Sequence, residues 1–122
     1  MTRILVIEDE EVVREMLLSV LTAAGYEVEQ AQNGLQGINL FSDRPSELVI
    51  ADILMPKMDG LETIRELRHI KPDLKIIAMS AGGVLQAEYA LGLAQQLGSY
   101  RTLRKPFKVE VLLAVVKEAL AA

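Results

Sequence analysis

Charged and hydroxyl side chains stand directly after short apolar runs at four places in this 122-residue chain. The runs at residues 4–7 and 48–51 are rich in Ile, Leu and Val, a composition typical of buried β-strands. Each polar residue is therefore predicted to stand at the carboxyl end of a strand. The residues concerned are Glu8, Asp9, Asp52, Ser80 and Lys105.

Three of these side chains are carboxylates, which repel one another when they are brought together. At an effective dielectric constant of about 20, two unit charges about 4 Å apart cost roughly 4 kcal/mol. A site that gathers Glu8, Asp9 and Asp52 therefore requires a cation. Such oxygen ligands suit Mg²⁺, which keeps several waters and binds phosphoryl oxygens, better than metals that prefer His or Cys.

Asp52 has the chemistry of a phosphoryl acceptor. A carboxylate attacks a phosphoryl group without first losing a proton, so Asp52 needs only a metal and donors that neutralise the phosphate. Ser80 and Lys105 can supply those donors. The chain contains neither G-x-x-x-x-G-K-[ST] nor G-x-G-x-x-G, which argues against the two common nucleotide-binding sites.

The elements that position these residues follow from the alternation of apolar runs with amphipathic stretches, which predicts five βα units. Near-continuous apolar strands joined through helices indicate a parallel sheet covered on both faces, with ligands beyond the carboxyl ends of its strands. The predicted strands cover residues 4–7, 26–31, 48–51, 74–79 and 100–104. The predicted helices cover residues 13–24, 35–41, 84–97 and 109–120, and a further helix is capped by Asp59 and ends before Pro72.

The length of the chain favours one α/β domain over residues 1–122, and its net charge limits the kinds of partner that it can bind. The formal charge of −4 disfavours direct binding of nucleic acid. The chain has no Cys, which excludes disulfides and fits a reducing compartment. Its N-terminal apolar run is too short for a signal peptide or a membrane span, so we expect a cytoplasmic protein that does not bind membranes.

Four sequence pieces together resemble the receiver domain of two-component response regulators. They are ILVIEDE at residues 4–10, ADILMPKMDG at residues 51–60, MSA at residues 79–81 and KPF at residues 105–107. Each piece alone is a weak signal, but they occur in order and each stands at a predicted strand end. The likeness covers about residues 3 to 120.

The resemblance implies a flavodoxin-like (βα)5 sandwich with strand order 2-1-3-4-5, and a role for each site residue. Asp52 is the implied phosphoacceptor, and Asp9, Asp52 and the Leu54 backbone carbonyl are the implied Mg²⁺ ligands, with Glu8 acting through a metal-bound water. Ser80 is implied to hydrogen-bond the phosphoryl group and Lys105 to pair with it, with a cis peptide bond between Lys105 and Pro106. The implied phosphodonor is a histidine kinase or a histidine phosphotransfer protein. Phosphorylation is implied to change the conformation of the domain, which then controls a partner or an output domain. The resemblance therefore implies a switch and not an ordinary turnover enzyme.

Other interpretations of the same residues remain. Glu8 and Asp9 are also suited to cap the first helix, and Ser80 to be only a satisfied strand-end hydroxyl. A phosphohydrolase that forms an aspartyl phosphate at Asp52, and a receiver-like domain that only binds partners, are the alternative functions. His69 is predicted to lie on the surface at the opposite edge of the sheet, which excludes a Ser-His-Asp triad. The sequence does not separate a stand-alone receiver from part of a longer regulator or hybrid kinase.

Two features depart from the family's usual pattern. The fourth helix is apolar nearly all round, with Glu88 its only charge, so its outer face near Tyr89 and Leu93 is predicted to contact a partner or a second copy. Thr102 stands three residues before Lys105, where receivers usually have Tyr or Phe that changes rotamer on phosphorylation. Thr cannot make that movement, and Tyr100 is at best a partial substitute.

Overall fold

The fold is a three-layer α/β sandwich. The computed structural model describes residues 1–53, 60–80 and 84–122, with only the backbone given for residues 84–87, 90 and 91. Its strands are β1 (Arg3–Ile7), β2 (Glu27–Ala31), β3 (Leu48–Asp52), β4 (Lys75–Ser80) and β5 (Arg101–Arg104). Its helices are α1 (Glu11–Ala23), α2 (Gly34–Asp43), α3 (Gly60–Ile70), α4 (Val84–Gln96) and α5 (Val109–Ala121).

The sheet is parallel and has the order β2-β1-β3-β4-β5, as the resemblance implied. Alternate residues of each strand enter opposite layers because strand side chains point to alternate faces. Leu5 and Ile7 pack with Phe41 and Ile64 on one face. Ile4 and Val6 pack on the other face, against residues of α1 and α5 that include Leu17, Leu21, Leu112 and Val116.

The predicted elements agree with the observed ones in kind and order, and their ends differ by one or two residues in most cases. The first helix begins at Glu11, two residues before the predicted start. Gly25, which follows the C-cap residue Ala24 of that helix, has φ +98°, a conformation that favours glycine. The predicted cap Asp59 lies outside the described residues. No helix within the described residues combines the length and the hydropathy that a membrane span requires.

An ion-pair network ties the amino ends of β1 and β2 together, at the edge of the sheet away from the strand ends that carry the polar residues. Arg3, which is 9% exposed, pairs with Glu27 at 2.6 Å and with Glu29. Glu27 also pairs with Arg44 at 3.4 Å. These four charged side chains are therefore engaged within the fold.

Candidate functional site

The register of the parallel strands brings four of the five polar residues to one edge of the sheet. Ile7 pairs with Ala51 in β3, so Glu8 follows at the level of Asp52. Asp52 pairs with Met79, and Ser80 pairs with Arg104. Lys105, the next residue, donates its backbone N–H to the Ser80 carbonyl at 2.8 Å. This alignment confirms that the predicted strand ends meet.

The three carboxylates form a compact acidic cluster. Glu8, Asp9 and Asp52 each offer an oxygen, and these oxygens lie within 4.8 Å of one another. Glu8 is fully buried, Asp52 is 4% exposed and Asp9 is exposed. The cluster therefore has two buried members and one that faces solvent. A hydrated cation can reach the cluster from the side of Asp9.

Lys105 neutralises part of this negative charge. Its ammonium group donates to Glu8 Oε1 at 2.6 Å and to Asp52 Oδ2 at 2.8 Å, and the side chain is 10% exposed. Charge-assisted bonds of this length are strong in a buried setting. The peptide bond between Lys105 and Pro106 is cis, as the resemblance implied.

The pKa values of Glu8 and Lys105 reflect this environment. The pKa of Glu8 is raised to about 7, chiefly by burial and also by the charge of Asp52, while the hydrogen bond from Lys105 opposes the rise. Burial lowers the pKa of Lys105, but its hydrogen bonds to Asp52 and Glu8 outweigh burial and the net pKa is raised. The lysine is therefore charged at neutral pH, while a buried glutamate next to it is costly to ionise.

Glu8 is also held through its backbone and its second carboxylate oxygen. Its N–H donates to the Ala31 carbonyl at 3.0 Å, and its Oε2 accepts the Glu10 N–H at 3.1 Å. Glu10 is the N-cap of α1 and makes no side-chain cap bond. Among the described residues, Asp9 makes no cap bond to α1, so the capping interpretation does not account for it.

Comparison with known protein families identifies the family of this chain. A profile of the response regulator receiver domain matches residues 4–117. The chain belongs to this family. As a receiver domain it functions in a two-component phosphorelay.

Curated relatives of the receiver are longer proteins. Response regulator MprA of Mycolicibacterium vanbaalenii is 42% identical over 119 residues, and MprA of Mycobacterium sp. strain KMS is 39% identical over 118 residues. Each match covers 97% of this chain and 50% of the relative. The receiver thus spans about half the length of these relatives.

Solved structures agree over nearly the whole receiver. The receiver domain of NtrX from Brucella abortus superposes with a TM-score of 0.90 at 29% identity, covering 98% of each chain. A receiver domain protein from Clostridium thermocellum gives the same TM-score and identity, covering 99% of this chain and 95% of its own. These likenesses support the fold and the strand order independently of the sequence motifs.

The remaining sequence predictions have different outcomes in the receiver. Ser80 stands at the end of β4, as predicted, and is fully buried there. His69 is exposed near the end of α3, also as predicted. Leu54 lies outside the described residues. Sequence reasoning missed Arg14, whose Nη1 donates to the Glu8 carbonyl at 2.9 Å. The only signal was its position one helical turn after Glu10.

Tyr100 occupies a charged setting just before β5. Lys75 Nζ lies 5.6 Å and Arg101 Cζ 4.9 Å from the centre of its ring, within cation–π distance. Its hydroxyl donates to Glu118 Oε1 at 3.2 Å, and Arg101 also pairs with Glu118. These contacts hold Tyr100, so it is a poor substitute for the aromatic residue that receivers usually have at the position of Thr102.

The raised pKa of Glu8 predicts a pH dependence of stability in the receiver without Mg²⁺. The unfolded chain loses this proton near 4.5 and the folded chain near 7, so the stability that protonated Glu8 contributes is lost as pH rises through that window. Glu8→Gln remains uncharged. Its unfolding free energy relative to wild type is expected to rise by roughly 1 to 3 kcal/mol between about pH 5 and about pH 8.

Urea unfolding with a chelator present, at both pH values, measures this difference. The matched control is Glu110→Gln, which changes an exposed glutamate of α5 and is expected to track wild type. A Glu8→Gln difference that is flat with pH, or that falls, contradicts the assignment of the raised pKa to Glu8.

Proposed function

We propose that Asp52 of this receiver accepts a phosphoryl group from a phosphohistidine, on a histidine kinase or a histidine phosphotransfer protein, with Mg²⁺ bound beside it. The modified receiver changes conformation and so controls a partner or an output domain. The observation that carries the proposal is the meeting of three carboxylates within 4.8 Å with the Lys105 ammonium 2.8 Å from Asp52.

The acidic cluster fits a divalent ion. When all four groups are ionised, Glu8, Asp9 and Asp52 carry three negative charges and Lys105 offsets one of them. The donors are all oxygens and one of the three residues is exposed, which suits an ion that keeps several waters. Glu8, Asp9 and Asp52 are the described residues that would hold Mg²⁺, with Glu8 acting through water, and the Leu54 carbonyl completes the proposed set. When bound, the ion supplies positive charge next to the transferring phosphoryl group.

Transfer requires one bond to form and one to break. A carboxylate oxygen of Asp52 forms a bond to phosphorus while the bond from phosphorus to the donor's imidazole nitrogen breaks, and the bonding electrons stay on that nitrogen. Asp52 gives up no proton because it is already a carboxylate. Lys105 faces the negative charge that develops, and Ser80 lies one residue beyond the register partner of Asp52, within reach of an attached group.

The resulting acyl phosphate is the basis of a switch. A phosphoryl group adds a charge of about −1.5 to −2. The Lys105 ammonium must then divide its hydrogen bonds between the phosphoryl group and its present partners, Glu8 and Asp52. Lys105 is joined to β4 through the Ser80 carbonyl, and a change at the ammonium can therefore reach the end of β4. We propose that the receiver promotes its own phosphorylation and its own slow dephosphorylation but turns over no separate substrate.

Incubation with acetyl phosphate tests this proposal directly. Intact-mass spectrometry is expected to detect one added phosphoryl group per chain in the presence of Mg²⁺ and none with a chelator. Uptake that is equal in both conditions contradicts the metal site. Saturable release of phosphate from a phosphomonoester, at many turnovers per chain, would instead support an aspartyl-phosphate phosphohydrolase.

We also propose that the outer face of α4 contacts a second copy of the receiver or another partner. Tyr89 is 72% exposed and Leu93 is half-buried. Glu88 pairs at 3.3 Å with Arg104 of β5 within the same chain. Since that pair already engages Glu88, contact at this face is expected to depend more on the aromatic ring than on charge.

Sedimentation with acetyl phosphate and Mg²⁺ tests whether the partner at this face is a second copy of the receiver. Phosphorylated wild type is expected to self-associate, and Tyr89→Ser to weaken that association by about tenfold, which corresponds to about 1.4 kcal/mol. The matched control is Ile70→Ser, which alters an exposed apolar residue at the end of α3 and is expected to behave as wild type. A monomeric wild type, or equal effects of the two changes, contradicts pairing through Tyr89.

A further inference from the structure

Arg14 is the fourth residue of α1 and reaches back to the acidic edge of the sheet. Its backbone N–H donates to the Glu10 carbonyl at 2.9 Å, which fixes it in the first turn. Its Nη1 donates to the Glu8 carbonyl at 2.9 Å. The side chain is half-buried, so this bond is partly protected from competing water.

The carbonyl that Arg14 contacts belongs to the peptide unit joining Glu8 to Asp9. A peptide unit is planar, so holding its oxygen also sets the direction in which the chain enters Asp9. Glu8, on one side of this peptide unit, is held by two further hydrogen bonds. Its backbone N–H donates to the Ala31 carbonyl, and its carboxylate accepts the Glu10 N–H. Arg14 adds the restraint on the bond that leads to Asp9.

Asp9 is the member of the cluster that most needs such a restraint. Its side chain is exposed, whereas Glu8 and Asp52 are buried and share the Lys105 ammonium. Within the described ranges 1–53, 60–80 and 84–122, no hydrogen bond to the Asp9 carboxylate is formed. The position of that carboxylate therefore depends on its backbone.

We propose that Arg14 is a positioning residue for Asp9, and that it raises Mg²⁺ affinity by fixing the peptide unit that precedes this ligand. The proposal rests on the proposed metal site. Loss of a positioning role and loss of a purely electrostatic effect would change Mg²⁺ affinity in opposite directions. A positive charge near a cation site weakens Mg²⁺ binding, so removing it would tighten binding, whereas removing a positioning bond would loosen it.

Calorimetric titration with Mg²⁺ measures this sign. Arg14→Ala is expected to bind Mg²⁺ about tenfold more weakly than wild type, the lower end of the range for loss of a group that orients a metal ligand. Arg14→Lys keeps a donor of similar reach and is expected to recover most of the affinity. With saturating Mg²⁺, the rate of phosphoryl uptake from acetyl phosphate by Arg14→Ala is expected to return to within about twofold of wild type.

The chain offers a matched control in Arg68 of α3. Its Nη1 donates to the Leu74 carbonyl at 2.7 Å, the same kind of bond, before the amino end of β4 and thus at the other edge of the sheet. Arg68→Ala is expected to lower stability without changing Mg²⁺ affinity. Equal weakening by Arg68→Ala and Arg14→Ala would show a general loss of structure and overturn the proposal.

Two further outcomes separate this inference from the function on which it rests. Unchanged or tighter Mg²⁺ binding by Arg14→Ala, with normal binding by wild type, overturns the positioning role alone. Failure of wild type itself to bind Mg²⁺ overturns the proposed metal site and the positioning role with it.

Discussion

Asp52→Asn is expected to abolish phosphoryl uptake from acetyl phosphate in the presence of Mg²⁺. The amide matches the carboxylate in size but is a far weaker nucleophile, and it removes one of the charges that would hold the ion. Its oxygen can still accept from Lys105, which contacts Asp52 at 2.8 Å in the wild type. The fold is therefore expected to persist, and the loss to be chemical.

Intact-mass spectrometry with peptide mapping measures the loss, and circular dichroism measures the fold. The matched control is Asp73→Asn, which changes an exposed aspartate before β4 and is expected to take up phosphate as wild type does. Label that persists in Asp52→Asn, or that maps to Asp9, would falsify the assignment of the acceptor.

Gly60→Ala is expected to cause the largest loss of stability among single methyl additions to the described glycines. A Cβ on Gly60 would lie 2.1 Å from the Ile53 Cα and 2.4 Å from the Asp52 carbonyl oxygen. Neither atom can rotate away, because both belong to the backbone at the end of β3. We expect the free energy of unfolding to fall by roughly 3 kcal/mol or more, and Mg²⁺ affinity to fall as Asp52 is displaced.

Two other glycines provide controls for this effect. A Cβ on Gly37 would lie 2.4 Å from Ile7 Cδ1, the end of a flexible side chain, so Gly37→Ala is expected to cost less, about 1 to 2 kcal/mol. A Cβ on Gly92, in α4, meets nothing within 4 Å, and Gly92→Ala is expected to stabilise by about 0.5 to 1 kcal/mol. Urea unfolding measures all three. A smaller cost for Gly60→Ala than for Gly37→Ala contradicts the argument from backbone contact.

The strand ends were predictable because a parallel sheet leaves little freedom there. Apolar runs predict strands, crossover helices make them parallel, and parallel strands place their carboxyl ends at one edge. Glu8, Asp52 and Ser80 therefore had to come close together whatever their detailed packing. The strand order came from resemblance to a family, since alternation of strands and helices alone is compatible with several orders.

The hydrogen bonds of the site were less predictable, because they depend on small differences in the positions of individual side-chain atoms. Sequence reasoning assigned Lys105 to a phosphoryl group and did not foresee that its ammonium contacts both Glu8 and Asp52. It also missed the bond from Arg14 to a backbone carbonyl. Arginine has a long side chain and five donors, and no spacing rule states which carbonyl such a side chain selects.

The charged groups around Tyr100 have a consequence for the response of the protein to salt. Lys75, Arg101 and Glu118 hold the ring and the hydroxyl, and Arg101 and Glu118 are about half exposed. Dissolved ions screen exposed charges within about 10 Å at 0.1 M, and buried pairs much less. The hold on Tyr100 should therefore weaken as ionic strength rises, while the pairs of Lys105 with Glu8 and Asp52, nearly closed to solvent, should be almost unaffected.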